Sequence, residues 1–163
     1  MATAGKNLSD YNKEQMPDAS SWRFGLVVSE WNDNITENLF KGAFETLLEN
    51  KVPESNIVRI NVPGSFELIS ASRKLCETEN YDAIIAIGNV IQGETRHFDF
   101  VCQGVANGIA ELNARFATPV IFCLLTDNTL QQSINRSGGI HGNKGTEAAV
   151  AAIMMAALKN ASV

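Results

Sequence analysis

Four short, almost unbroken apolar runs, each followed by a longer stretch of helical period, constrain the fold more than any other feature of this chain. The runs are RFGLVVS (23–29), IVRINV (57–62), YDAIIAIG (81–88) and PVIFCLL (119–125). β-Branched residues without polar alternation suit strands whose sheet is covered on both faces. Between them, Ile35, Leu39, Gly42, Ala43, Thr46 and Leu47 share one stripe of a helix over 34–50. Leu68, Ser72 and Leu75 mark one face of a second helix over 65–79. Phe98, Val101, Cys102, Val105, Ile109 and Leu112 follow the i, i+3, i+4, i+7 spacing of a third. A shorter helix is expected at 128–136 and a last one at 144–159. Asn34, with Glu37 three residues on, predicts the cap of the first helix. The alternation predicts an α/β domain: a four-stranded parallel sheet between two helical layers, joined by right-handed crossovers.

Residues 1–21 are polar and without clear period, which makes them an N-terminal arm, with a single domain over 22–163. At the other end AAVAAIMMAAL (148–158) is apolar throughout, so its helix has no polar face to give to water. A helix apolar all round is buried all round, and a chain this small needs a second copy to bury the outer face. Self-association is therefore expected.

The charge balance, 13 − 18 = −5, leaves no electrostatic footprint for nucleic acid. An anionic ligand then requires a local basic pocket. No apolar stretch reaches the roughly 18 residues of a membrane span. The first 21 residues lack the apolar core of a secretory signal, so the expected location is cytoplasmic. Cys76, Cys102 and Cys123 have no metal-like spacing and sit in apolar contexts, as buried free thiols do.

In open parallel sheets ligands bind at the carboxyl ends of the strands. The loops leaving those ends are EWND (30–33), PGSFE (63–67), NVIQGETRH (89–97) and TDN (126–128), and the unusual residues of the chain fall in them. Trp31 is either a surface aromatic or a stacking platform for a planar ring. Phe66 is most simply core. Glu67 is either a helix-dipole partner or an acceptor for ligand hydroxyls. Gly93 permits close backbone approach, and Thr95 and Arg96 beside a helix start form an anion site. His97 is then placed for proton transfer near neutral pH. Asp99 lies two residues from His97 and faces another direction, so Glu94, His97 and Asp99 are not expected to hold a metal. No GxSxG elbow and no GxxxxGK phosphate loop is present. In INRSGGIHGNKGTEAA (134–149), Arg136 is the candidate bidentate anion ligand, near His141 and Lys144.

The segments EWND, VPGSFE, GNVIQGETRHFDFV, PVIFCLLT and NRSGG…GNKG, in this order from about Trp22 to Leu158, resemble the lumazine synthases. The resemblance implies a three-layer, flavodoxin-like α/β/α domain that condenses 5-amino-6-ribitylaminouracil with 3,4-dihydroxy-2-butanone 4-phosphate. The products are 6,7-dimethyl-8-ribityllumazine, phosphate and water, with no cofactor. It places Trp31 against the pyrimidine, Ser65, Phe66 and Glu67 along the ribityl chain, and Asn89, Val90 and Ile91 at the pyrimidine edge. Gly93, Glu94 and Thr95 line the phosphate site, which Arg136 completes; His97 moves protons, and Phe122 and Lys144 occupy further site positions. Phe122 would come from a neighbouring subunit. Homopentamers, closing into an icosahedral shell, are implied, with the N-terminal arm adding to a neighbour's sheet and riboflavin synthase as a candidate partner. The sequence departs from the family pattern at Glu94, at Ile69 (FELI for FELP) and at Arg96. Two other readings keep the same fold: an archaeal-type riboflavin synthase, and a ligand-binding or shell protein without catalysis.

Overall fold

The computed structural model describes residues 7–78 and 80–161. Strand β1 (Phe24–Ser29) leads to α1 (Asp33–Glu49), then to β2 (Ile57–Val62). A 3-10 turn (Ser65–Glu67) opens α2 (Leu68–Cys76), followed by β3 (Ala83–Ile91), α3 (His97–Arg115) and β4 (Val120–Asp127). Helix α4 (Leu130–Arg136), a small hairpin of β5 (Ser137–Gly139) and β6 (Gly142–Asn143), and α5 (Lys144–Asn160) complete the chain. The four main strands are parallel in the order β2-β1-β3-β4.

That order makes the chain step outward from β1 to β2, then back across β1 to β3 and β4. Right-handed crossovers then put α1 on one face and α2 and α3 on the other. Side-chain alternation along the strands serves both layers. Leu26, Val28, Ile85 and Ile87 meet Leu39, Ala43 and Leu47 of α1 and Ala149 and Ile153 of α5. Val27, Ile84 and Ala86 meet Leu68 and Leu75 of α2 and Val105, Ile109 and Leu112 of α3. The expected three-layer α/β/α architecture is the observed one.

Several boundaries differ from expectation for identifiable reasons. β3 runs to Ile91, because its ladder with β4 continues through Asn89–Leu125, Val90–Thr126 and Ile91–Asp127 despite the polar Asn89. α1 is not capped by Asn34. Asn32, in the left-handed region at φ 60°, precedes a helix that begins at Asp33, and the Asp33 carboxylate accepts from Asn34 N at 2.8 Å. Glu37 turns instead to Arg59, whose Nη1 donates to it at 2.9 Å. The hydrogen bond from Arg59 holds the Glu37 carboxyl below its ordinary pKa.

The inner face of α5 (Ala148, Ala149, Ala152, Ile153, Ala156) is buried, while Met154, Met155 and Leu158 are exposed on the single chain. Of the N-terminal arm, residues 1–6 lie outside the described residues. The rest runs along its own chain: Leu8 N donates to the His141 carbonyl at 2.8 Å, Lys13 pairs with Glu49, and Ala19 is fully buried in the core. Among the described residues no helix is long and apolar enough to cross a membrane.

Cys76 and Cys123 are buried as expected, whereas Cys102 is only half-buried. Burial pushes the Cys123 thiol up to about 12, so it carries almost no reactive thiolate at neutral pH. Cys123 is expected to stay unlabelled by iodoacetamide in the native protein and to react once the protein is denatured. Mass spectrometry after timed labelling checks this, and native labelling of Cys123 as fast as Cys102 would contradict it.

Candidate active site

The sheet reverses its direction of growth between β1 and β3, so the loops after these strands part and leave a crevice at the carboxyl edge. A cavity of about 780 Å³ occupies it, within the usual size range of ligand sites. Three strand ends and the start of α3 supply its walls.

From β1 come Trp31, whose indole is 71% exposed at the rim, and Asn32. The left-handed backbone of Asn32 suits Asn better than most residues. Its side chain makes no cap; Nδ2 donates across to Asn89 of β3, to the carbonyl at 3.3 Å and to Oδ1 at 3.0 Å. From the loop after β2 come Ser65, Phe66 and Glu67. This turn can lie on β3 because Gly88 has no side chain: a Cβ there would come within 2.8 Å of Ser65 Oγ and 2.6 Å of Leu124. Ser65 Oγ donates to the Asn89 carbonyl at 3.4 Å. Phe66 is not core. It is 54% exposed, and its ring lies over Gly104 of α3, in the cavity wall.

Asn89, Val90 and Ile91 end β3 along the cavity floor. Gly93, Thr95 and His97 follow, His97 as the first residue of α3 with its N–H on Thr95 Oγ1 at 3.3 Å. The side chain of Gln92 braces this loop by donating to the Gly93 carbonyl at 2.9 Å. The structure thus brings Trp31, Ser65, Phe66, Glu67, Asn89, Val90, Ile91, Gly93, Thr95 and His97 around one space.

The other expected residues lie outside that space. Glu94 is exposed on the loop. Arg96 points into solvent and pairs with Asp99 at 3.5 Å. Phe122 stands on the edge strand β4, 38% exposed. Lys144 begins α5 and pairs with Glu147. Arg136 ends α4, where Nη1 donates to the Gln132 carbonyl at 3.0 Å and lies 3.8 Å from Asp127 Oδ1. It adjoins the cavity loop through Gln92 N, which donates to the Asp127 carbonyl at 2.9 Å.

Five lining residues are not among those the sequence assigns to the site: Asn32, Gly64, Phe98, Phe100 and Val101. Asn32 stood beside Trp31 in the same loop and gave no signal of its own. Phe98 and Val101 fit the helical stripe and so read as core, and Gly64 reads as a turn residue. Phe100, 71% exposed, falls off that stripe, and an aromatic on the polar side of a helix was the available clue.

The site combines an apolar rim of Trp31, Phe66 and Phe100 with one carboxylate, one imidazole and strand-end backbone groups. Such a lining suits a flat heteroaromatic ring carrying a hydroxylated chain, and a proton transfer beside it. Residues 21–160 match the family model described as 6,7-dimethyl-8-ribityllumazine synthase. The 6,7-dimethyl-8-ribityllumazine synthase of Flavobacterium johnsoniae is 63% identical over 159 residues, covering 98% of this chain and 84% of that protein. That of Christiangramia forsetii is 62% identical over 160 residues, covering 98% and 95%. That of Porphyromonas gingivalis is 55% identical over 159 residues, covering 98% and 99%. With the match running through every strand end that walls the cavity, the chain belongs to the 6,7-dimethyl-8-ribityllumazine synthase family.

Proposed function

We infer that this chain condenses 5-amino-6-ribitylaminouracil with 3,4-dihydroxy-2-butanone 4-phosphate, forming 6,7-dimethyl-8-ribityllumazine in the penultimate step of riboflavin biosynthesis. The observation that carries the reading is one cavity, on three strand ends, that holds Trp31, Glu67 and His97 together. Mixing both substrates with the protein and following lumazine absorbance tests it. No product above the uncatalysed rate would refute it. An assay with the lumazine alone separates it from riboflavin synthase activity.

The uracil's primary amine attacks the ketone, water leaves as the imine forms, phosphate departs, and the second amine closes the ring with loss of water. The substrate supplies its own nucleophile, and no net oxidation occurs. The protein's task is to hold two reactants in register, an effect worth several kcal/mol of barrier. Trp31 stacks on the pyrimidine, Glu67 accepts from ribityl hydroxyls with Ser65 and Phe66 beside it, and Asn89, Val90 and Ile91 meet the pyrimidine edge. Gly93 and Thr95, with Glu94 through its backbone, cradle the phosphate that Arg136 grips, and His97 shuttles the proton. Replacing His97 with alanine is expected to lower kcat by about 10²-fold without abolishing turnover. Steady-state kinetics with both substrates saturating measures this, and complete loss of product would contradict a role limited to proton transfer.

Phe122, Arg136 and Lys144 stand outside the one-chain cavity, and the outer face of α5 presents Met154, Met155 and Leu158. Both facts support a site completed by a neighbouring copy in a homopentamer, with Phe122 facing that neighbour's cavity. Pentamers then close into an icosahedral shell, for which riboflavin synthase is the candidate partner. The assembly works in the cytoplasm.

A further inference from the structure

A chain of hydrogen bonds runs from two residues of the cavity lining, Asn32 and Asn89, down to Ser133 and Asp127, which neither line it nor were expected to serve it. Asn32 Nδ2 donates to Asn89 Oδ1 at 3.0 Å, Asn89 Nδ2 to Ser133 Oγ at 2.8 Å, and Ser133 Oγ to Asp127 Oδ2 at 2.9 Å. The other oxygen of that carboxylate, Oδ1, faces Arg136 Nη1 at 3.8 Å. Asn89 is 1% exposed, Ser133 is fully buried and Asp127 is 8% exposed.

The geometry leaves little freedom. Ser133 has one hydrogen and gives it to a carboxylate that can only accept, so its oxygen must receive from Asn89. That fixes the Asn89 amide with its oxygen toward Asn32, and Asn32 ties the β1 loop to the end of β3. All donors point one way, toward the negative charge, an arrangement in which each bond polarises the next. A carboxylate this deep is costly for stability alone, and an apolar residue would fill the space at less expense.

We propose that Ser133 and Asp127 are positioning residues: through the buried chain Asn32–Asn89–Ser133–Asp127 they hold the pyrimidine wall and the Arg136 guanidinium in one fixed register. Asp127 aims Arg136 without taking up its donors, since 3.8 Å is beyond hydrogen-bond length and leaves the guanidinium N–H groups not held by the Gln132 carbonyl for a phosphate. Ser133 is the joint, because it alone touches both halves. The inference rests on the reading that Arg136 grips the phosphate of the butanone substrate.

The test measures KM for each substrate, kcat and thermal midpoint in four proteins: wild type, Ser133→Ala, Asp127→Asn and Arg136→Ala. Asp127→Asn keeps an oxygen for Ser133 but turns an amide toward Arg136. It is expected to raise KM for the butanone phosphate about 3- to 10-fold, the scale of one lost orienting bond, and to leave KM for the ribitylaminouracil unchanged. Ser133→Ala strands both neighbours and is expected to raise both KM values by similar factors. In either variant kcat should change less than KM. A shift confined to the thermal midpoint, or equal effects of Asp127→Asn on both KM values, would overturn the proposal. Arg136→Ala separates the layers of the argument. If it leaves both kcat and KM for the butanone phosphate unchanged, the phosphate reading and this inference fall together. If it raises that KM while neither other variant does, only the positioning role falls.

Discussion

Arg136→Ala is expected to lower kcat/KM by about 10²- to 10³-fold, the loss seen when one preorganised donor to a developing anion is removed. The reaction expels phosphate, so negative charge gathers on the leaving group as its bond breaks. A guanidinium already in place meets that charge without reorganising, and its planar fork suits a phosphate edge-on. Arg136 is oriented before substrate arrives: its side chain is 27% exposed, Nη1 donates to the Gln132 carbonyl at 3.0 Å, and Asp127 stands 3.8 Å away. Lysine at this position keeps the charge but loses the fork, and should recover only part of the rate. Steady-state kinetics, varying each substrate against the other, reads the loss. The contrast with His97 is the sharper check. On the proposed function His97 gives general acid–base help, which the substrate's own amines and solvent water replace in part, so its removal should cost less. Equal losses at the two positions would dissolve the division of labour between proton transfer and phosphate departure.

How much of this was legible in the sequence depends on the range over which each interaction acts. The strands and helices were legible because apolar periodicity is local: Leu26, Val28 and Ile85 announce a doubly covered sheet from their own neighbours. The position of the cavity followed, since a parallel sheet must open at its carboxyl edge. Strand ends were harder. Asn89 reads as a loop residue by type, and only its ladder partner Leu125 keeps it in β3. Phe66 reads as core by type, and only Gly104 on a helix far along the chain makes it a wall. Glu37 reads as a capping partner by spacing, and only Arg59 on β2 draws it away. The Asn89–Ser133 bond joins residues 44 apart, and no spacing rule could have announced it. The candidate site divides in the same manner: the residues proposed for chemistry stand in the loops as rare types, while those proposed to aim them are ordinary Ser, Asn and Asp.

The largest expected loss of stability comes from a residue with no chemistry at all, Gly145 in the first turn of α5. A Cβ at this position would lie 1.9 Å from the Leu39 carbonyl oxygen, 2.8 Å from the Leu39 carbonyl carbon and 3.0 Å from Ala43 N. All three are backbone atoms of α1, so no rotamer change relieves the clash. Gly145→Ala must push the two helices apart, and with them the contacts that Leu39, Ala43, Ala149, Ala152 and Ile153 make in the α1–α5 layer of the core. Alanine is the better helix former by about 1 kcal/mol, which opposes the loss. Overpacking a rigid contact costs typically 1–3 kcal/mol and more where backbone must move, so a net destabilisation of about 2–3 kcal/mol is expected. For a chain of this length that corresponds to a fall in Tm of roughly 5–10 °C, measured at fixed protein concentration so that any assembly contributes equally. Gly93→Ala is the control. No atom lies within 4 Å of a Cβ built there, so its midpoint should match the wild type to within about 0.5 kcal/mol. A Gly145→Ala protein that melts with the wild type would mean that α1 and α5 are not in backbone contact at this crossing. The placement of Lys144, one residue earlier, would then lose its anchor too.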